Sequence, residues 1–416
     1  MKFNSIYIEK QNKNRKVYKL INNEDESKLK DINKEIVNKH HLRIANRNAI
    51  IKTLIQFLSQ GTIFNNNINL ELTKENFFIV KTDIADFFPS VNKHKLYKKI
   101  VKASILNDSS IEIIKSFIFN NRYSGIPLGT TFSNSLAEVY LEEFDKNIRR
   151  HINPLLFCRY VDDIVLVIPM QPSENNAQIQ HQINKIIEYI EKQLGKYDLE
   201  LNQSKTSSYK FIYKKNDNKN DNNFDFLGYN FRTENNKLYI DISEDKYKKK
   251  ILNKLIRSFK IYKTSKHMNN DFWILYYRLK NIIYGVSSNG KNGNLKFGIS
   301  YTYKFINSDV VLRKFIKSYH YFVYQNRQYL NSTQRNLLYS LICVNKNKNK
   351  YILNGKSDSE LILLILDKRT NYNKMSIRSL EKICKQIGSK EIIKIEDNLY
   401  KINLQVQIMK KLSFKN

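Results

Sequence analysis

The segment Leu156-Phe-Cys-Arg-Tyr-Val-Asp-Asp-Ile-Val-Leu-Val-Ile168 constrains the fold of this chain more than any other. Two apolar runs rich in β-branched and aromatic residues flank the adjacent acids Asp162 and Asp163, and Pro154 and Pro169 bracket the whole. The pattern predicts a β-hairpin with the acids at or beside its turn. A carboxylate is costly to bury unless it is paired or holds a cation. Two of them at the tip of hydrophobic strands point to a divalent-cation site, against the plainer alternative of a solvated Asp-Asp turn.

A third acid sharpens that choice. Lys81-Thr-Asp-Ile-Ala-Asp-Phe-Phe-Pro-Ser-Val91 follows the apolar run Phe77-Phe-Ile-Val80, which places Asp83 at the end of a strand and before a turn. One Asp there and a pair on a neighbouring hairpin supply what a two-metal phosphoryl-transfer site needs, with ions roughly 3.5–4 Å apart. Mg²⁺ (Mg2+) suits such a site, because it prefers one or two carboxylates plus substrate phosphates to an all-protein cage; Mn²⁺ is the alternative. Asp86 is read either as a further acid or as a solvated helix-start residue.

With these residues in view the chain resembles the reverse transcriptases. Tyr160-Val-Asp-Asp163 resembles the family's (Y/F)xDD motif, and Asp83-Ile-Ala-Asp-Phe-Phe-Pro-Ser90 the upstream motif with the other catalytic Asp. Between them, Gly125-Ile-Pro-Leu-Gly-Thr-Thr-Phe-Ser-Asn-Ser-Leu-Ala-Glu138 is similar to the template- and nucleotide-positioning motif, with Leu128 where many members carry Gln. Leu199-Glu-Leu-Asn-Gln-Ser-Lys-Thr206 and Phe226-Leu-Gly-Tyr229 are similar to the next two palm motifs. The motifs keep the family's order over residues 77–231.

The resemblance implies an α+β fold: a right-hand polymerase with an antiparallel-sheet palm, helical fingers and a mostly helical thumb and C-terminal region. The expected division is residues 1–76 as an N-terminal fingers region, 77–241 as palm with fingers elements, and 242–416 as thumb and C-terminal region. It implies metal ligands at Asp83, Asp162 and Asp163, with Ile84 beside the first and Asp163 coordinating least directly. Lys205 matches the residue that protonates departing pyrophosphate, and so joins the acids as a catalytic candidate. Phe88 falls where the family places an aromatic under the nucleotide sugar, a ring that would clash with a ribose 2′-hydroxyl and select dNTPs. Phe87 beside it is read as core. Gly129, with the fingers cations Arg43 and Arg47, completes the nucleotide-binding set; the arginines read equally as a charged helix face. Leu227, Gly228 and Tyr229 match the primer grip.

Outside those motifs the readings are coarser. Helical spacing predicts helices within residues 25–58, over Lys93–Phe119, over Phe132–Arg150 with Ser133, Asn134 or Ser135 as cap, over Asn175–Leu194, and over the basic stretch Lys246–Lys266. Glu138, Glu142 and Glu143 are expected on a solvated face. Residues 61–76 and the polar run Lys214–Asn223 are expected to be loops. Tyr301, Tyr303, Tyr319, Tyr321, Tyr324 and Tyr329 could stack on bases, prime synthesis through a hydroxyl, or fill a core.

A net charge of +32, from 71 Lys+Arg against 39 Asp+Glu, is spread along the chain and favours a polyanionic partner. The expected partners are RNA as template or dedicated non-coding RNA, a DNA product and dNTPs, with a homo-oligomer or a second protein partner left open. A membrane partner is not expected, since no run nears 18 apolar residues and no N-terminal signal pattern is present. Three scattered cysteines give neither a disulfide framework nor a zinc pattern, which suits a reducing cytoplasm. Trp273–Lys280 resembles thumb or connection segments of prokaryotic reverse transcriptases outside the retroviral branch, and the Gly-rich stretch Gly285–Gly293, followed by Gly298-Ile-Ser-Tyr301, resembles those of the abortive-infection and phage-defence groups, which implies a role in bacterial antiphage defence. Template-independent, protein-primed DNA synthesis on the same fold and a non-catalytic RNA-binding protein are the alternatives.

Overall fold

The structure is a computed structural model that describes residues 6–12, 15–44, 46–59, 70–171, 175–211, 222–290, 293–342, 369–390 and 396–414. Its strands in chain order are β1 (Ile6–Asn12), β2 (Arg15–Leu20), β3 (Leu70–Glu71), β4 (Phe77–Asp83), β5 (Leu156–Tyr160), β6 (Asp163–Pro169), β7 (Ser207–Phe211), β8 (Asn223–Phe226), β9 (Tyr229–Glu234), β10 (Lys237–Ile242), β11 (Val286–Gly290), β12 (Gly293–Phe297) and β13 (Thr370–Asn371). Two compact units result: one of Met1–Gly61 with Thr73–Asn222, the other of Thr62–Leu72 with Asn223–Asn416.

In the first unit, an antiparallel sheet has the order β5-β6-β4-β7. Phe77–Val80 and Ile164–Val167 are fully or nearly fully buried, so the paired strands are apolar on both faces. That burial fixes their register, because a slip of one residue would exchange the faces of every side chain. Helices Lys93–Ala103, Asp108–Ile118, Thr131–Ile152 and Asn176–Gly195 belong to the same unit, and Leu136, Phe144 and Ile183 join Phe78, Val80 and Leu166 in one core. The extended start of the chain is the antiparallel hairpin β1–β2, followed by helices Asn23–Lys39 and Arg47–Leu58.

Local chemistry sets the helix ends. The span Lys93–Phe119 is two helices, parted at Ser104, which has φ of +51°, and restarted by Asn107, whose side chain accepts from the Ser110 N–H. Thr130 caps Thr131–Ile152 by accepting from the Ser133 N–H. Ser133, Asn134 and Ser135 lie inside that helix, and the Ser133 hydroxyl donates instead to the Pro127 carbonyl at 2.6 Å. Asn175 and Gln178 form a reciprocal capping box.

The second unit carries an antiparallel sheet of order β3-β10-β9-β8 and a smaller sheet of order β12-β11-β13. Within the expected loop 61–76, Leu70–Glu71 is a strand, with Leu70 buried opposite Leu238. Residues 60–69 and 212–221, the latter most of the polar run Lys214–Asn223, lie outside the described residues. The basic stretch 246–266 is not one regular helix: a π-helical segment, Tyr247–Leu252, precedes helix Asn253–Lys263. Tyr303 and Tyr319 are buried, and the Tyr319 hydroxyl donates to the Leu338 carbonyl at 2.9 Å, so neither can stack on a base or prime synthesis. Tyr321 and Tyr324 are 57% and 56% exposed. Among the described residues, no helix is long and apolar enough to cross a membrane.

Candidate active site

Strand register builds the acid cluster. In the β4–β6 ladder Phe77 faces Pro169, and the pairing runs on until Asp83 faces Asp163. The Ile84 N–H then donates to the Asp162 carbonyl at 3.1 Å, tying the end of β4 to the β5–β6 turn. Ile84 itself is 1% exposed. Asp83 is buried, Asp162 and Asp163 are half-buried, and ligand oxygens of the three lie within 4.8 Å of one another. Three desolvated carboxylates at that spacing repel unless a cation lies among them. The chemistry of the trio therefore fits a hard divalent metal, and oxygen ligands of this kind suit Mg²⁺ or Mn²⁺.

Two basic and amide groups already face the cluster. The Lys205 ammonium contacts Asp83 Oδ2 at 2.5 Å, and the Asn202 side-chain amide donates to the same oxygen at 3.3 Å. The backbone N–H of Asn202 donates to the Asp83 carbonyl at 2.7 Å. Lys205 thus offsets charge within the trio, while its own side chain stays 48% exposed.

The turn that carries Asp162 is strained. Val161, its first residue, has φ of +59°. A β-branched residue in the left-handed region costs on the order of 1–3 kcal/mol and persists only when its surroundings hold it there. Glu138, expected on a solvated face, is a correction in the same neighbourhood. It turns toward β5 and pairs with Arg159 at 2.6 Å, and burial raises its pKa against the pull of Arg159.

Beside the acids lies a cavity of about 680 Å³, whose wall includes Lys16, Tyr18, Phe88, Arg122, Leu128 and Asp162. Phe88 is 9% exposed in the short helix Phe87–Ser90, while Phe87 is core. The Phe88 carbonyl accepts from the Ile126 N–H at 2.9 Å, which fixes the loop 125–129 against the short helix Phe87–Ser90. The Tyr18 N–H donates to the Leu128 carbonyl at 2.8 Å and closes the N-terminal hairpin over that loop.

The matches to known proteins follow this geometry. A family model described as reverse transcriptase (RNA-dependent DNA polymerase) covers residues 8–231, more than half of the chain. The chain belongs to the reverse transcriptase family. Among solved structures, apo telomerase from Candida tropicalis truncated from its C-terminal domain is 15% identical with a TM-score of 0.35, over 52% of this chain and 45% of that one. Apo telomerase from Candida tropicalis is 13% identical with a TM-score of 0.38, over 94% and 58%. Telomerase from Candida albicans in complex with a TWJ fragment of telomeric RNA is 13% identical with a TM-score of 0.37, over 89% and 57%. This reverse transcriptase spans about half the length of those chains. None of the curated proteins matches it.

Several expected site residues stand elsewhere. Arg43 is exposed and Arg47 begins helix Arg47–Leu58; neither is among the residues lining the cavity. The positive charge there comes from Lys16 on β2 and Arg122, which sequence reasoning missed. Lys93, also in the wall, donates to the carbonyls of Asn120 at 2.9 Å and Tyr123 at 2.7 Å and so holds the loop that carries Arg122. Gly129 stands under the N-terminal hairpin, where an added Cβ would meet the Tyr18 carbonyl oxygen at 2.7 Å; Leu128 faces the cavity in its place. In the second unit, Leu227 and Gly228 form the two-residue turn of β8–β9, with φ of +47° and +82°. Tyr229, the third residue expected in the primer grip, is fully buried, and its hydroxyl donates to the Thr302 carbonyl at 3.1 Å.

The electrostatics of the trio predict a pH dependence. Burial first, then the charges of Asp162 and Asp83, push the Asp163 carboxyl up to about 6, against the pull of Lys205 and Lys81. A carboxyl whose pKa is higher folded than unfolded keeps its proton in the native state after the unfolded chain has lost it. The stability it contributes is full below the unfolded value of about 3.9 and is lost as pH rises through about 6. Asp241 in the other unit, pushed up to about 6 by burial, acts with the same sign. Thermal unfolding of metal-free protein between pH 4 and 8 is therefore expected to show a decline that Asp163→Asn reduces and does not abolish. An unchanged slope in that variant would mean that Asp163 ionises without penalty.

Proposed function

We propose that this reverse transcriptase copies RNA into DNA by two-metal nucleotidyl transfer at Asp83, Asp162 and Asp163, with Mg²⁺ as the metal and dNTPs held in the adjacent cavity. The observation that carries the reading is the register of Asp83 opposite Asp163 at the edge of a cavity bounded by Phe88, Lys16 and Arg122. Bound divalent ions would activate the primer hydroxyl and offset the charge that develops on the pyrophosphate. The chain's own groups then have separate tasks. Asp162 reaches the cavity, and Lys16 with Arg122 offers positive charge to a triphosphate. Phe88 lies where a sugar would rest. Lys205, paired with Asp83 here, would be available to protonate the leaving group once a bound cation took its place at that carboxylate. Leu227 and Gly228 are assigned to the primer. The net charge of +32 supports RNA and DNA as partners. The role in bacterial antiphage defence is supported by the resemblance of the Gly-rich stretch Gly285–Gly293 followed by Gly298-Ile-Ser-Tyr301.

The test is dNTP incorporation by purified protein with Mg²⁺, with and without RNase treatment. Incorporation that is lost after RNase and restored by a supplied RNA template and primer supports the reading. Incorporation that survives RNase with product attached to protein favours untemplated, protein-primed synthesis, for which exposed Tyr321 and Tyr324 are the acceptors to mutate. Phe88→Val is expected to raise rNTP use relative to dNTP use by about tenfold or more, read from single-nucleotide extension; an unchanged ratio removes Phe88 as the sugar gate. For the defence role, phage plating on cells with the wild-type protein should fall, and Asp162→Ala should restore it.

A further inference from the structure

We infer that Arg159 is a positioning residue that clamps the Val161–Asp162 turn and so sets the spacing of the metal-binding carboxylates; this rests on the metal site proposed above. Arg159 sits on β5 opposite Ile164, with its side chain 3% exposed. Its guanidinium has five N–H donors in a rigid fork, and all five have acceptors. Nε donates to Asp145 Oδ1 at 2.7 Å, and Nη2 to Asp145 Oδ2 at 2.8 Å and Glu138 Oε2 at 2.6 Å. Nη1 donates to Glu138 Oε1 at 3.4 Å and to the Val161 carbonyl at 3.0 Å.

The two carboxylates and the carbonyl do different things. Glu138 and Asp145 lie two turns apart on one face of helix Thr131–Ile152, so together they orient the guanidinium plane. The remaining donor then reaches the one carbonyl that a left-handed Val161 presents to it. On the other side of the same turn, Asp162 is held through its carbonyl by the Ile84 N–H. The turn is thus fixed from the helix by Arg159 and from β4 by the residue after Asp83. An ion pair that served the core alone would end at the two acids; this one continues into the loop that bears Asp162. Lysine keeps the charge but lacks the fork, and cannot hold both acids and the carbonyl at once.

The experiment measures Mn²⁺ binding by electron paramagnetic resonance, together with Tm and incorporation. The proteins are wild type, Arg159→Lys, Val161→Gly and the double variant, with Asp162→Ala as reference. Glycine adopts positive φ without strain, so Val161→Gly lessens what Arg159 has to hold. Arg159→Lys is expected to weaken Mn²⁺ binding by about ten- to a hundredfold, the range found when groups behind metal ligands are altered. In the Val161→Gly background the same change should be clearly smaller, a coupling that a contribution to core stability alone does not produce. A fall in Tm with Mn²⁺ binding as in wild type, or an equal loss in both backgrounds, would overturn the inference. Should Arg159→Lys yield no folded protein, Glu138→Gln, which keeps an acceptor and removes the charge, is judged by the same readouts. Wild-type protein that binds Mn²⁺ no better than Asp162→Ala would instead overturn the metal site, and this inference with it.

Discussion

Asp162→Ala is expected to lower dNTP incorporation by about a thousandfold or more while leaving the fold in place. The magnitude follows from the several kcal/mol that bound metal contributes to stabilising charge in phosphoryl transfer, at about 1.4 kcal/mol per tenfold in rate. Asp162 is half-buried in a two-residue turn and carries no core packing. Its removal also takes one negative charge away from Asp163, whose pKa is raised in part by Asp162. The variant should therefore unfold at the same temperature as wild type or slightly above it. Primer extension on an RNA template, with Tm measured in parallel, checks both halves. Activity within about tenfold of wild type would mean that Asp162 is not a ligand and that the two-metal reading is wrong.

The second large effect is at a glycine. Gly125→Ala is expected to destabilise the first unit by about 3 kcal/mol or more and to disturb the cavity wall at Phe88. Gly125 has φ of +56°, and a Cβ built there would lie 2.1 Å from the Phe88 carbonyl oxygen and 2.6 Å from the Pro89 carbonyl carbon. Those neighbours are backbone, so they yield only by moving Phe88 itself. Left-handed backbone costs a non-glycine residue roughly 1–2 kcal/mol, and forced overpacking adds typically about 1–3 kcal/mol. Thermal unfolding and the rNTP-to-dNTP ratio should both change. A Tm within about a degree of wild type would show that the loop 125–129 shifts freely, since a loss of 3 kcal/mol moves the midpoint of a unit this size by several degrees.

The parts legible in the sequence were those whose residue types have few roles open to them. Acids at the ends of runs such as Phe77–Val80 and Ile164–Ile168 have little to do in a core, and the same runs fix the register that brings Asp83 to Asp163. The chemistry and the pairing were therefore readable together. Lys16 and Arg122 were not, because 71 cationic residues give no single one distinction. The long-range bonds from the Tyr18 N–H to the Leu128 carbonyl and from the Tyr18 hydroxyl to the Arg122 carbonyl carry the hairpin to the cavity. Arg43 and Arg47 are equally charged, and neither is among the residues that line the cavity. Glu138 and Tyr229 lie inward for one shared reason. Each belongs to a residue class with a common surface role, and each is drawn inward by a partner distant in sequence, Arg159 for one and the Thr302 carbonyl for the other. Helix limits shifted wherever a neighbouring residue capped better, as Thr130 does ahead of Ser133.

The closure of the N-terminal hairpin over Leu128 has a consequence for synthesis on the ribosome. Chains emerge at about 5–20 residues per second, so the hairpin Ile6–Leu20 is outside the tunnel for several seconds before residue 128 exists to receive it. Its own ladder is local and forms early; its docking is non-local and comes late. The wall that Lys16 and Tyr18 give to the cavity therefore forms only after residue 128 has emerged, later than Asp83 and ahead of Asp162 and Asp163.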